Sequence, residues 1–212
     1  MSAWTGTQDD DRDVHEALSR RDFRRALALL MDRYGDAIYR FVYEMTHDEG
    51  LADDVRQQVF VEAFRDLERF EGRSSVRTWL FGIARHRALD ATKSRRRWWQ
   101  RFKNEAPADG EDGVAVADGP DRATEHGELA LVLAHCLEKL QPAAREAVVL
   151  RYQQELSYDE VAAVTGDRVG TLQQRVARAL PVLRKCVEAR MTPRVPPEEP
   201  RAVPAVEGRE LP

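Results

Sequence analysis

The chain has 212 residues, with 33 Lys and Arg against 37 Asp and Glu for a net charge of −4, 42% hydrophobic residues and 8% aromatics. This length holds one ordinary domain or two small ones, and the regular apolar spacing excludes global disorder. No apolar run approaches the roughly 20 residues that span a bilayer, and the acidic start MSAWTGTQDDDRDVHE is unlike a signal peptide, so neither membrane insertion nor secretion is expected.

The bulk charge conceals a segregated one. Residues 71–103 carry ten basic and two acidic side chains, net +8, and 104–128 carry one basic and eight acidic, net −7. The basic block also holds Trp79, Phe81, Trp98, Trp99 and Phe102, a composition suited to phosphates and bases.

In chain order, residues 1–22 form an acidic extension, and a helical unit is expected over 23–100. Within it, residues 51–67 place Ala52, Val55, Val59, Phe60, Ala63 and Leu67 on one side of a helix. The opposite side presents Asp54, Gln57, Gln58, Val61 and Arg65, a polar face with an isolated valine that suits protein docking as well as solvent. A second helix, about Val76 to Arg97, is expected to bury Val76, Trp79, Leu80, Ile83 and Ala84 and to turn Thr78, Phe81, Arg85, Thr92 and Arg96 outward. The loop before it, Phe70 to Trp79, offers Gly72 for a turn, Ser74 or Ser75 as a cap, and hydroxyls beside Arg73 and Arg77 that suit a base and its phosphates.

Residues 101–128 read as a flexible acidic linker containing Pro107 and Pro120. A second helical unit follows at 129–190. Leu129, Val132, Leu133, Cys136, Leu137 and Leu140 form one stripe, and Pro142 marks the next helix start. Ser157-Tyr158-Asp159-Glu160 is a capping box, and Gly166 permits a turn. A further helix carries Leu172, Val176, Ala179, Leu180 and Leu183 on one face, with Pro181 expected to kink or shorten it. A capped helix, a Gly turn and an amphipathic helix make a helix-turn-helix. The tail from 191 holds six of the ten prolines and is expected to be disordered. Cys136 and Cys186 lie 50 residues apart with no CxxC, which reads as two reduced thiols rather than a disulfide or a zinc site.

The chain resembles the extracytoplasmic-function sigma factors, small members of the sigma-70 family that retain only sigma regions 2 and 4. In the first unit the resemblance rests on Leu30-Met31-Asp32-Arg33-Tyr34, on Ala52-Asp53-Asp54-Val55-Arg56-Gln57-Gln58-Val59-Phe60, and on Phe70 through Leu80 running into Ile83-Ala84-Arg85-His86. In the second it rests on Leu140-Gln141-Pro142 through Arg151, on Leu156 through Ala162, and on Val169-Gly170-Thr171.

The resemblance implies an all-α fold of two small helical domains, region 2 and a region 4 helix-turn-helix. It implies RNA polymerase core and promoter DNA as partners, with an anti-sigma factor as a further candidate partner, and a cytoplasmic location. It assigns core docking to Asp54, Gln57, Gln58 and Val61. The −10 strand would meet Arg73, Ser74, Ser75, Arg77, Thr78, Trp79, Phe81, Arg85 and His86. The −35 groove would meet Gly170, Thr171, Gln173, Gln174, Arg175 and Arg178. No catalytic residue, cofactor or metal is implied, since the polymerase does the chemistry.

This chain departs from the common pattern at Leu172-Gln173-Gln174, where Lys-Ser usually follows Gly-Thr, at His86, where Asn is usual, and at Gln58, where Glu is usual. A free-standing helix-turn-helix regulator or a protein-binding helical module would share the second unit, but neither needs the basic aromatic block. The five histidines form no HExxH, and no GxxxxGK[ST] loop is present.

Overall fold

The computed structural model describes residues 11–105 and 125–191, with side chains for 11–101 and 129–191. All regular structure among the described residues is helical. Residues 106–124 of the expected linker and the expected disordered tail beyond Met191 lie outside the described residues. The ends of that linker, 101–105 and 125–128, are helical rather than flexible, because the flanking helices extend into them, and Met191 closes a helix.

Four helices build the first unit: α1 (Arg12–Ser19), α2 (Phe23–Thr46), α3 (Glu49–Asp66) and α4 (Val76–Glu105). The starts of α2 and α3 are set by carboxylates on otherwise unpaired N–H groups: Asp22 accepts from Arg25 N at 3.1 Å and Asp48 from Leu51 N at 2.9 Å. Leu30, Ile38, Phe41 and Val42 of α2 pack with Val55 and Val59 of α3 and Leu80, Phe81 and Ala84 of α4. The rings of Phe41 and Phe81 meet edge to face at 5.5 Å.

Helix α1 lies within the stretch read as an acidic extension, yet it buries Val14 and Ala17 against α2. Asp11, 2% exposed, takes Arg33 Nη1 at 2.7 Å and the Tyr34 hydroxyl at 2.8 Å. A buried carboxylate needs such donors, and these tie α1 to α2.

The second unit comprises α5 (Glu125–Glu138), α6 (Pro142–Val148), α7 (Tyr158–Thr165) and α8 (Val169–Met191). Helix α6 passes into a π-helical turn over Val149–Gln153, closed by Gln154 N on Val149 O at 2.9 Å. Leu150, Leu156, Val161, Leu172 and Val176 form its core. Leu129, Leu133 and Leu180, expected inside, are exposed. Gly166, with φ +77°, ends α7 in the left-handed conformation that favours glycine.

Two expectations are corrected here. Helix α8 runs through Pro181 to Met191 without a break. The proline is exposed, and the carbonyl it leaves without a helical donor belongs to Ala177, itself an exposed residue. Beyond it, buried Leu183 holds the helix on the core. Cys136 and Cys186 are joined in a disulfide with a Cα–Cα distance of 5.8 Å, because the packing of α5 on α8 brings together residues distant in sequence.

Closing a loop of this length restricts the unfolded chain, so Cys186→Ser or full reduction is expected to lower the stability of the second unit by about 2–4 kcal/mol. Thermal melts with and without reductant, on wild type and variant, check this; the variant should be insensitive to reductant.

Candidate nucleic-acid interface

The loop before α4 is shaped by a few local interactions. Gly72 turns the chain at φ +68°, and the Ser75 Oγ caps α4 by accepting from Thr78 N at 3.1 Å. Trp79 is half-buried against Phe70, ring centroids 5.1 Å apart. Arg73 is exposed and pairs with the neighbouring Glu71 at 3.1 Å.

Beyond the loop the arrangement departs from expectation. Phe81, expected to face outward, is fully buried against Phe41, so its ring is unavailable to a ligand. Thr78, also expected outward, is 4% exposed because the second unit lies over it. His86 is exposed, with its Nδ1 3.6 Å from Asp90.

The second unit covers this part of α4 with its own acids and carbonyls. Glu160 Oε1 accepts from Thr78 Oγ1 at 3.0 Å and Ser75 Oγ at 3.3 Å. Arg85 Nε donates to the buried Glu146 Oε1 at 2.6 Å, and Arg77 donates to the Gln154 carbonyl. Four of the groups expected to meet a DNA strand thus hold carboxylate and carbonyl oxygens from α6, its π turn and α7. Burial opposes ionisation of Glu160, but the bonds from the Ser157 backbone and hydroxyl, Thr78 and Ser75 outweigh it and hold its carboxyl below the usual range. Glu160 also completes the expected capping box, with Oε2 taking Ser157 N and Oγ at 2.9 Å each. No sequence signal marked Glu146 or Glu160 as partners of the first unit.

A second cluster joins the units at the end of α2. His47 caps that helix at φ +50°, its Nε2 accepting from Arg145 and its Nδ1 lying 3.8 Å from Glu138 Oε1. Accepting at Nε2 requires the neutral ring. Burial, then the Arg145 charge, pushes the His47 pKa down, while burial pushes that of Glu44 up. Among the described residues, the buried Arg77 Nε, Arg145 Nε and Gln154 Nε2 have no hydrogen-bond partner. All three residues belong to the contact between the units, which is polar and imperfectly satisfied.

Two further faces remain open. On α3, Asp54, Gln57, Gln58 and Val61 are all exposed, as the helical pattern required. Beside them runs a groove of about 460 Å³ whose lining includes Met31, Phe60, Val61 and Phe64. Phe64 is one turn on from Val61, and that spacing was the available signal for an apolar extension of this face. On α8, Gly170, Thr171, Gln173, Gln174 and Arg178 are exposed on one end of the helix, whereas Arg175 is half-buried against Asp167 at 2.6 Å.

Because His47 loses a proton more readily in the compact arrangement, that arrangement binds fewer protons there than the parted one. Its stability is therefore full above the ordinary histidine value of 6.5 and falls as pH drops through the lowered one. Small-angle scattering between pH 7.5 and 5.5 should show the chain expanding, and His47→Gln should remove the part of the change that begins near 6.5. Glu160→Ala should expand the chain at every pH.

The chain was compared with known proteins. Residues 30–98 match the family described as Sigma-70 region 2, and residues 130–180 match Sigma-70, region 4. The chain is 30% identical over 188 residues to RNA polymerase sigma-H factor of Pseudomonas aeruginosa, covering 86% of this chain and 96% of that one. It is 36% identical over 177 residues to ECF RNA polymerase sigma factor SigC of Mycobacterium tuberculosis, covering 82% and 91%. Among solved structures it is similar to CnrH, determined in complex with the cytosolic domain of CnrY, with a TM-score of 0.60 and 26% identity over 86% of this chain and 99% of that one.

Proposed function

The chain belongs to the extracytoplasmic-function sigma factors of the sigma-70 family, and we propose that it directs core RNA polymerase to promoters through −10 and −35 elements. The observation that carries the reading is the set of hydroxyls and guanidiniums on and before α4, Ser75, Arg77, Thr78 and Arg85, which hold oxygens in a way that a DNA strand can replace.

The first unit, residues 23–100 with α1 packed on it, serves as the core-binding and −10 unit, and 129–190 as the −35 unit. The segment 101–128 links them, and the tail from 191 has no assigned role. Core polymerase docks on Asp54, Gln57, Gln58 and Val61, a face that stays open while the units are closed on each other. Docking therefore precedes DNA. Parting the units then releases Ser75, Arg77, Thr78 and Arg85, which together with Arg73, Ser74, Trp79 and His86 hold the −10 strand. Extruding a base costs a few kcal/mol, and the polar loop recovers part of it. Phe81 has no part in this, being core. On α8, Gly170 and Thr171 bring backbone N–H groups to phosphate, while Gln173, Gln174 and Arg178 face the −35 groove. Arg175 acts through Asp167, fixing the helix start.

The chain supplies no catalytic group, and its work is cytoplasmic, with the polymerase. Among the described residues no helix is long and apolar enough to cross a membrane. CnrH was solved with the cytosolic domain of CnrY. By analogy, an anti-sigma partner of this chain would hold the closed arrangement or cover α3.

Run-off transcription with purified core, on genomic fragments, with and without the chain, tests the reading; transcripts that appear without it overturn it. Asp54→Arg and Gln57→Ala should weaken core association roughly tenfold or more with thermal melts unchanged, as read by pull-down. A large loss of melting temperature with normal core binding would assign this face to the fold.

Promoter choice separates the contributions of α8. Gln174→Ala should relax preference at one −35 position, since a bidentate Gln–adenine pair discriminates by about 1–3 kcal/mol. Arg178→Ala should weaken binding across sequences if its contact is to phosphate. Transcription from a −35 library reads both.

A further inference from the structure

Helix α4 outruns the bundle to which it belongs. Its last fully buried residue is Ala88, Ala91 is the last that packs on the core, and every side chain from Thr92 to Arg101 is exposed. At 1.5 Å per residue these ten residues are about 15 Å of exposed helix. A solvated overhang would be polar all round. This one carries Trp98 and Trp99, 46% and 54% exposed, with their rings 5.1 Å apart.

Its charges are as unbalanced as its apolar surface. Arg95 ties the base of the overhang to the bundle, through Asp48 Oδ2 at 2.8 Å and the Thr46 carbonyl at 3.3 Å. Lys93 lies 4.0 Å from Asp90. Arg96, Arg97 and Arg101 have no carboxylate partner among the described residues. A helix dipole attracts cations only within its last turn, so it accounts for neither Arg96 nor Arg97 in a helix that ends at Glu105. Three unopposed guanidiniums beside two exposed indoles match a polyanion with apolar surface between its charges.

The direction of the overhang fixes which polyanion. At 100° per residue, Lys93 and Arg97 fall within about 20° of the line through His86, the outermost of the side chains assigned to the −10 strand. From His86 to Arg97 is about 16 Å of helix, or roughly five base-pair steps of duplex. The end of α4 also leads through the linker to the unit assigned to the −35 element.

We propose that Lys93 to Arg101 is a second DNA contact, in which Arg96, Arg97 and Arg101 hold backbone phosphates of the duplex between the two promoter elements and the indoles of Trp98 and Trp99 pack against its sugars. The contact rests on the sigma reading and adds to it a grip on spacer DNA that is independent of base sequence.

The test uses the full chain bound to core polymerase and two promoter fragments, one ending at the upstream edge of the −10 element and one carrying about ten further base pairs of arbitrary duplex. The wild type should gain affinity from the added duplex. Arg96→Gln/Arg97→Gln/Arg101→Gln should lose that gain, about tenfold at 0.1 M salt. It should also lower the slope of log affinity against log salt by about 0.9 for each phosphate released. Arg97→Gln alone and Trp98→Ala/Trp99→Ala should each lose part of the gain, and thermal melts should match wild type because all five side chains are exposed.

An unchanged gain in the triple variant overturns the contact. An equal loss on both fragments, or weaker binding to core alone, also overturns it and assigns the arginines to the −10 strand or to the polymerase. Tighter binding on both fragments overturns it in favour of the chain's own acidic segment 104–128 as the occupant. If the wild type with core fails on the short fragment, the −10 reading falls, and this contact with it.

Discussion

Much of this structure depends on one set of contacts, in which carboxylates of the second unit take hydroxyl and guanidinium donors on the surface of the first that we propose for DNA. Glu160 takes the hydroxyls of Ser75 and Thr78, and Glu146 takes Arg85. On that proposal, carboxylate and phosphate oxygens are alternative acceptors for the same donors. The competition is even in chemistry. On the proposed reading its outcome is set by what else each competitor brings, and polymerase docking together with a long polyanion would bring far more than two side chains.

That competition also explains the quality of the contact. Arg77, Arg145 and Gln154 each leave one buried polar atom without a partner. An unpaired buried donor costs on the order of 1–3 kcal/mol, so a fully satisfied seam would have been appreciably tighter. The first unit's own core shows the contrast: Asp11 is as buried as Gln154, yet Arg33 and Tyr34 meet its carboxylate fully. Satisfaction is thus concentrated within each unit and withheld between them.

How far the sequence reveals this depends on the range of the interaction. Local signals read true: the Ser157 capping box, the Gly166 turn and the outward face of α3 all depend on residues within a turn or two of one another. Phe81 shows where such reading stops. A single amphipathic stripe assigned it outward, but α4 is packed by α2 and α3 on one part of its surface and by α7 on another, so no simple wet face exists over that stretch. The Cys136–Cys186 bond was illegible for the same reason, since a spacing of 50 residues says nothing about a Cα separation of 5.8 Å. Pro181 misled differently. Its penalty falls at the exposed Ala177, and pattern alone does not tell an exposed turn of helix from a buried one.

The two oxygens of Glu160 have separable duties. One belongs to the architecture of α7, closing the reciprocal cap with Ser157, and the other belongs to the neighbouring unit. When the units separate, only the second is vacated, and water can fill it at once. In the parting we propose, the first turn of α7 keeps its cap, and the helix-turn-helix would meet DNA already folded. Such a motion would be that of a catch whose hinge pin never leaves its seat, with surface contacts broken and no helix unwound.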